Sequence, residues 1–151
     1  MKSILVADDN HNIRIFCQQE LEAQGYRVLL ARDGEEAVRL VHYASVDLAI
    51  LDVSMPVVGG LEAAQRIRSI APSMPIVFFT AGGCDRLPSR WSELALGCVE
   101  KSDDLSELKQ LCAALLRSQD PGLRHDGPAN SAVGPESAPA VEWRTAANRC
   151  P

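Results

Sequence analysis

Short apolar runs alternate along this chain with stretches in which apolar residues recur every three or four positions. The first pattern reads as a buried strand, the second as one face of an amphipathic helix. SILVA (3–7), RVLLA (27–31), DLAILD (47–52), PIVFFT (75–80) and the shorter GCVEK (97–101) are the strands so predicted. Between them the spacing predicts a helix over 12–24, where Ile13, Phe16, Cys17 and Leu21 share a face and Gly25 ends the run. Further helices fall over 33–44 and 61–70. The last runs from Asp104 to about Arg117, with Leu105, Leu108, Leu111, Cys112 and Leu115 inward. Asp104 and Glu107 form an Asp-x-x-Glu version of a capping box at its start.

Strands that are apolar almost throughout must be covered on both sides, so five such units make a parallel sheet with helices on each face. The topology this favours is a flavodoxin-like, doubly wound α/β fold, a five-stranded sheet in the order 2-1-3-4-5. Sheets of this kind carry their functional groups at the carboxyl ends of the strands. There the sequence places Asp8 and Asp9 after strand 1, Asp52 after strand 3, Thr80 after strand 4 and Lys101 after strand 5. Three carboxylates around one crevice repel one another unless a hard divalent cation or a cationic side chain offsets them. Mg²⁺ suits, because it takes a few carboxylate oxygens and keeps positions for water and phosphate.

With that charge offset, Asp52 is placed to act as a nucleophile toward a phosphoryl group. The metal and the Lys101 ammonium neutralise charge on the phosphoryl oxygens, and Thr80 donates its hydroxyl to one of them. Each residue alone has a commoner reading: acids at a helix start, a strand-end threonine, a solvated lysine. No packing requirement asks for all five together. Gly59 and Gly60 read as loop positions that permit positive φ.

These segments, ILVADD, LDVSMPVVGGLE, FFTA and LGCVEKS, occur in an order and spacing that resembles a two-component response-regulator receiver domain, similar to the chemotaxis-type single-domain regulators. The resemblance covers residues 1–118. It implies Asp52 as phosphoacceptor, Asp8 and Asp9 as metal-binding acids and the Ser54 backbone carbonyl as a further metal ligand. It also implies Thr80 as switch hydroxyl and Lys101 as phosphoryl-sensing lysine. The implied donor is a sensor histidine kinase or a histidine phosphotransfer protein, with Mg²⁺ as cofactor. The output is binding to a protein target through the face of the fourth helix, fifth strand and last helix, since no output domain is visible. The chain is then a signalling phosphoacceptor that at most catalyses its own Mg²⁺-dependent phosphorylation and dephosphorylation. A receiver-like module that binds its partner without phosphorylation is the alternative. An aspartyl-phosphate hydrolase needs a second acid two residues after its nucleophile, and Ser54 stands there.

The chain departs from the family pattern at three places. Cys98 occupies the position, three before Lys101, that resembles the family's Tyr or Phe switch site. A thiol cannot swing with the same change of surface as a ring, and a buried strand cysteine reads as inert. AGGCDRLPSRWSELAL (81–96) stands where the family has an uninterrupted fourth helix. Gly82, Gly83 and Pro88 are poor interior helix residues, and Pro88 suits a first helical position, predicting about two turns from there to Leu96. Trp91 on that segment reads equally as a partner contact or as packing over the strand edge. Ser102 follows Lys101 where many members have Pro, so a cis peptide is not expected there.

Composition narrows the rest. The 151 residues suit one domain and a tail, and 46% hydrophobic with 23% charged residues is globular. Residues 119–151 hold five of the nine prolines and few large apolar side chains, which predicts a disordered Pro/Ala-rich tail. A net charge of −5 without a Lys/Arg cluster argues against nucleic acid as a direct partner. No apolar run approaches about 18 residues and acids follow the start too soon for a signal peptide, so no membrane is expected and the cytoplasm is the expected location. The five cysteines make no CxxC pair, which fits a reducing compartment, with Cys17 and Cys112 as small core residues.

Overall fold

The computed structural model describes residues 1–119, and the expected tail lies, from residue 120 on, outside the described residues. The elements run β1 (Ser3–Ala7), α1 (His11–Ala23), β2 (Arg27–Ala31), α2 (Gly34–Tyr43), β3 (Leu48–Leu51), α3 (Gly60–Ile70), β4 (Ile76–Thr80), α4 (Trp91–Leu94), β5 (Gly97–Glu100) and α5 (Ser106–Ser118). A 3-10 turn over Cys84–Arg86 interrupts the passage from β4 to α4. The five strands are all parallel and lie in the order β2-β1-β3-β4-β5, as expected from the apolar runs.

Alternation along the strands divides the core in two. Leu5, Ala7, Ala49, Leu51, Ile76 and Phe78 face one way, onto Ala37 and Val41 of α2, Ala63 and Ile67 of α3 and Trp91 of α4. Ile4, Val6, Leu48, Ile50, Val77 and Phe79 face the other, onto Cys17 and Leu21 of α1 and Leu108, Leu111 and Cys112 of α5. Each large side chain so buried contributes roughly 1.5–3 kcal/mol relative to exposure, and the two layers together fix where the strand ends lie.

Local chemistry sets the helix bounds. Asn10 caps α1, its side-chain oxygen accepting from the N–H groups of Asn12 and Ile13, and Asp33 caps α2 by accepting from Glu36 N–H. Gly25, at φ +97°, turns the chain out of α1. At α5 the expected capping box does not form: Asp104 Oδ1 accepts from the N–H of Ser106 at 2.9 Å and its hydroxyl at 2.6 Å, and the helix starts two residues later than predicted. A short turn satisfies Asp104 before the helix begins.

The fourth helix is shorter than the two turns expected from Pro88. Residues 81–83 lead into the 3-10 turn, Pro88 lies before Trp91, and only Trp91–Leu94 is helical. Arg68 of α3 holds this segment in place, donating to the carbonyls of Pro72 (2.8 Å), Met74 (2.7 Å) and Leu94 (2.6 Å). Trp91 is buried against the sheet, so of its two readings the packing one holds.

Candidate functional site at the carboxyl edge of the sheet

Asp8 follows the last residue of β1 and its N–H donates to Ala31 O at 3.1 Å, continuing the ladder. Asp8 Oδ1 accepts from Asn10 N–H at 2.9 Å, and Arg14 Nη1 donates to Asp8 O at 2.7 Å. The turn is therefore closed from both sides, and Asp8 is buried while Asp9 is exposed. Arg14 was not singled out by the sequence reading; its position one turn past the Asn10 cap is the one sign of it.

Asp52 follows β3, its N–H donating to Ala7 O at 2.9 Å, and its side chain is buried. Ser54 N–H donates to Asp52 Oδ1 at 3.3 Å. The loop beyond is tied at two points: Gly60 N–H to Val53 O at 2.9 Å and Gly34 N–H to Val58 O at 3.0 Å. Neither Gly59 nor Gly60 has positive φ, against expectation; that conformation falls on Val57, at φ 67°. Glycine is needed at 60 for a different reason, because a Cβ there would collide with the backbone carbonyl of Asp52. A Cβ at Gly34 would likewise run into Val58 O. α3 is thus seated directly on the backbone that carries Asp52.

Lys101 closes the crevice from β5. Its N–H donates to Thr80 O at 2.9 Å, and its Nζ lies 2.6 Å from Asp8 Oδ2 and 3.2 Å from Asp52 Oδ2. Thr80 ends β4, buried, with its Oγ1 accepting from Gly82 N–H at 3.3 Å. The structure therefore brings Asp8, Asp9, Asp52, Thr80 and Lys101 to one edge, with Ser54 on the rim.

The electrostatics follow from this geometry. Burial pushes the Asp52 carboxyl above its ordinary value, the Asp8 charge adds to the rise, and Lys101 opposes it without reversing it. For Lys101, burial works to lower the value, but the short ion pair with Asp8 and the charge of Asp52 win and raise it. Asp8, Asp9 and Asp52 each offer an oxygen within 4.8 Å of the others. Asp8 Oδ2 is buried, accepts no hydrogen bond of regular geometry, and is held by the ammonium as an ion pair. A carboxylate oxygen so placed among two other acids is the donor set of a hard, oxygen-seeking cation.

Cys98 is not an inert thiol. It is joined by a disulfide to Cys84, across a Cα–Cα distance of 6.0 Å. The sequence reading missed the pair because its partners are 14 residues apart and only the return of β5 beside β4 brings them together. Cys17 and Cys112 are free and buried, as expected.

The fold and site together define a doubly wound parallel α/β module with an acidic trio, a strand-end hydroxyl and a lysine at its carboxyl edge. The response regulator receiver domain profile matches residues 4–113, and the chain belongs to that family. It is 37% identical over 129 residues to the response regulator MprA of Mycobacterium sp. (strain KMS), covering 83% of this chain and 55% of that protein. The chain thus spans about half the length of this relative. It is also 43% identical over 82 residues to the CAI-1 autoinducer sensor kinase/phosphatase CqsS of Vibrio cholerae, a match covering 52% of this chain and 12% of CqsS. Among solved structures, TrrA of Thermotoga maritima in complex with Mg²⁺-BeF is 40% identical, covering 76% of this chain and 99% of that one, with a TM-score of 0.71. TrrA also resembles this chain in a crystal structure with the histidine kinase ThkA, at 39% identity and a TM-score of 0.71, covering 77% of this chain and 99% of that one.

Proposed function

We propose that this chain is a phosphoacceptor of two-component signalling, in which Asp52 takes a phosphoryl group from a histidine kinase or a histidine phosphotransfer protein. The observation that carries the reading is the buried Asp52 carboxylate, 3.2 Å from Lys101 Nζ and grouped with Asp8 and Asp9. A carboxylate oxygen of Asp52 attacks phosphorus, the bond from phosphorus to the donor's histidine nitrogen breaks, and an acyl phosphate forms on Asp52. Asp8, Asp9, Asp52 and the Ser54 backbone carbonyl would hold Mg²⁺, which supplies positive charge to the phosphoryl oxygens when bound. The Lys101 ammonium is already inside the crevice and is placed to neutralise a phosphoryl oxygen. Thr80 turns its hydroxyl proton toward the new group while its Oγ1 keeps accepting from Gly82 N–H.

The output in this reading is binding of a protein target on the face of α4, β5 and α5, with no nucleic acid or membrane contact of its own. Residues 1–118 form the receiver, and it works in the cytoplasm without turning over free phosphomonoesters. Among the described residues no helix is long and apolar enough to cross a membrane.

The test is the intact mass of the chain after incubation with a small acyl phosphate, with and without Mg²⁺, beside Asp52→Asn. Gain of one phosphoryl group that needs both Mg²⁺ and Asp52 is expected. A second reading, a receiver that binds its target without phosphorylation, draws support from the disulfide at Cys98 and the short α4. No mass gain under any condition would replace the first reading with this one.

A further inference from the structure

We infer that Cys84 and Cys98 are a reversible thiol–disulfide couple whose oxidised form clamps the segment after Thr80 to β5 and so restrains the switch. The consequence at Asp52 rests on the receiver reading above; the clamp itself does not.

The placement of the two cysteines carries the argument. Their Cα atoms, 6.0 Å apart, lie within the span a disulfide bridges, and both residues are almost wholly buried, at 1% and 2% exposure. Cys84 opens the 3-10 turn four residues after Thr80, while Cys98 pairs in register with Phe78 and stands three residues before Lys101. The covalent link therefore joins the two stretches of chain that carry Thr80 and Lys101. It sits in the core layer with Phe78, Trp91 and Ala95, where the family resemblance would put the moving aromatic ring. A ring there can change rotamer; a disulfide cannot.

The segment it holds is mostly exposed, with Gly83, Cys84 and the partly buried Leu87 as its inward residues. Ala81, Gly82, Asp85, Arg86, Pro88, Ser89 and Arg90 are exposed, and Gly83 sits at φ +92°. Thr80 Oγ1 is bound to Gly82 N–H, so a Thr80 hydroxyl that turns toward a phosphoryl group on Asp52 takes residues 81–83 with it. With Cys84 bonded to β5, the far end of that stretch is anchored. With both sulfurs as thiols, it is free to follow, and lifting of the same exposed segment gives an exchange partner access to them.

The chemistry balances with a low-molecular-weight disulfide as oxidant. One protein thiolate attacks a sulfur of the small disulfide, whose S–S bond breaks and releases one small thiol, leaving a mixed disulfide. The second protein thiolate attacks the protein sulfur of that bond and releases the second small thiol. Two protein thiols are oxidised, one small disulfide is reduced to two thiols, and the reverse sequence restores the dithiol.

The test equilibrates the full chain in a series of reduced and oxidised glutathione mixtures, traps thiols by alkylation and locates the bridge by peptide mass. Each form is then followed for phosphoryl gain from a small acyl phosphate with Mg²⁺, and for amide hydrogen exchange over residues 81–90. The pair is expected to pass from dithiol to disulfide within the series. The disulfide form should gain phosphoryl at least about threefold more slowly and exchange more slowly over 81–90. Cys84→Ser should match the dithiol form in every mixture. A pair locked in one state throughout the series, or equal phosphoryl gain by the two forms, overturns the inference. If neither form gains a phosphoryl group the receiver reading fails instead, and exchange over 81–90 then decides the clamp: slower in the disulfide form upholds it, equal in both removes it.

Discussion

Asp52 is held in an arrangement that costs the metal-free protein stability. Its carboxyl is raised by burial and by Asp8, so between its ordinary value and its raised one the folded chain binds more protons than the unfolded chain. Stability from this group is thus fully present below the ordinary value and is lost as pH rises through the folded one. Asp52→Asn in metal-free buffer should melt higher than the parent at neutral pH. That advantage should shrink as the pH is lowered toward 4, within the ordinary carboxylate range. A variant that melts lower at neutral pH would mean that the ion pair with Lys101 outweighs burial. Two of the close-packed glycines make a second residue-level comparison. A Cβ at Gly60 meets the fixed backbone of Asp52, whereas one at Gly97 meets the tip of the Leu111 side chain, 2.6 Å away, which can turn aside. Chemical denaturation should give a loss of about 3 kcal/mol for Gly60→Ala and about 1 kcal/mol for Gly97→Ala.

Among the elements, α4 depends most on a single side chain outside it. Four residues of helix cannot hold themselves, and what fixes them is Trp91 in the core and the Arg68 guanidinium on Leu94 O. Arg68→Met keeps the aliphatic stem and removes the donors from three carbonyls, so a loss of about 2 kcal/mol is expected, with hydrogen exchange rising first around 91–96. The strands and the helices α1, α2, α3 and α5 were legible in the sequence to within a few residues, because unbroken apolar runs and three-to-four spacing leave few alternatives. The α4 region was not: Gly82, Gly83 and Pro88 announced a break, but its shape is set by Arg68 and Cys98, which no local pattern connects to it. The same limit applies at the site, where five strand-end residues could be named from topology. The Arg14 bond to Asp8 O, by contrast, depends on a rotamer.

At the scale of the whole molecule, the cysteines report on different parts of the fold. The Cys84–Cys98 bridge closes a loop with a sequence separation of 14, a constraint of up to roughly 3 kcal/mol on the unfolded chain, so reduction should lower the melting temperature by several degrees. Cys17 and Cys112 lie instead in the layer between the sheet and helices α1 and α5. Burial pushes both thiols up to about 12 from an ordinary 9.0, with the Asp8 charge adding to the rise at Cys17 and the neighbouring Cys17 adding to it at Cys112. Raised values mean that the neutral thiols favour the folded state below pH 9.0, and that this contribution is lost as the pH climbs toward about 12. The fold should weaken over that alkaline window, and the loss should shrink in Cys17→Ala/Cys112→Ala when compared with its own stability at neutral pH. Alkylation supplies the second measurement. In native protein at pH 8 these two thiols should label only as fast as the α1 and α5 layer opens, so denaturant that promotes global unfolding should speed labelling in proportion to the unfolded fraction. Labelling that is fast and insensitive to denaturant would show that this layer opens locally, and that the sheet is held mainly by its other face.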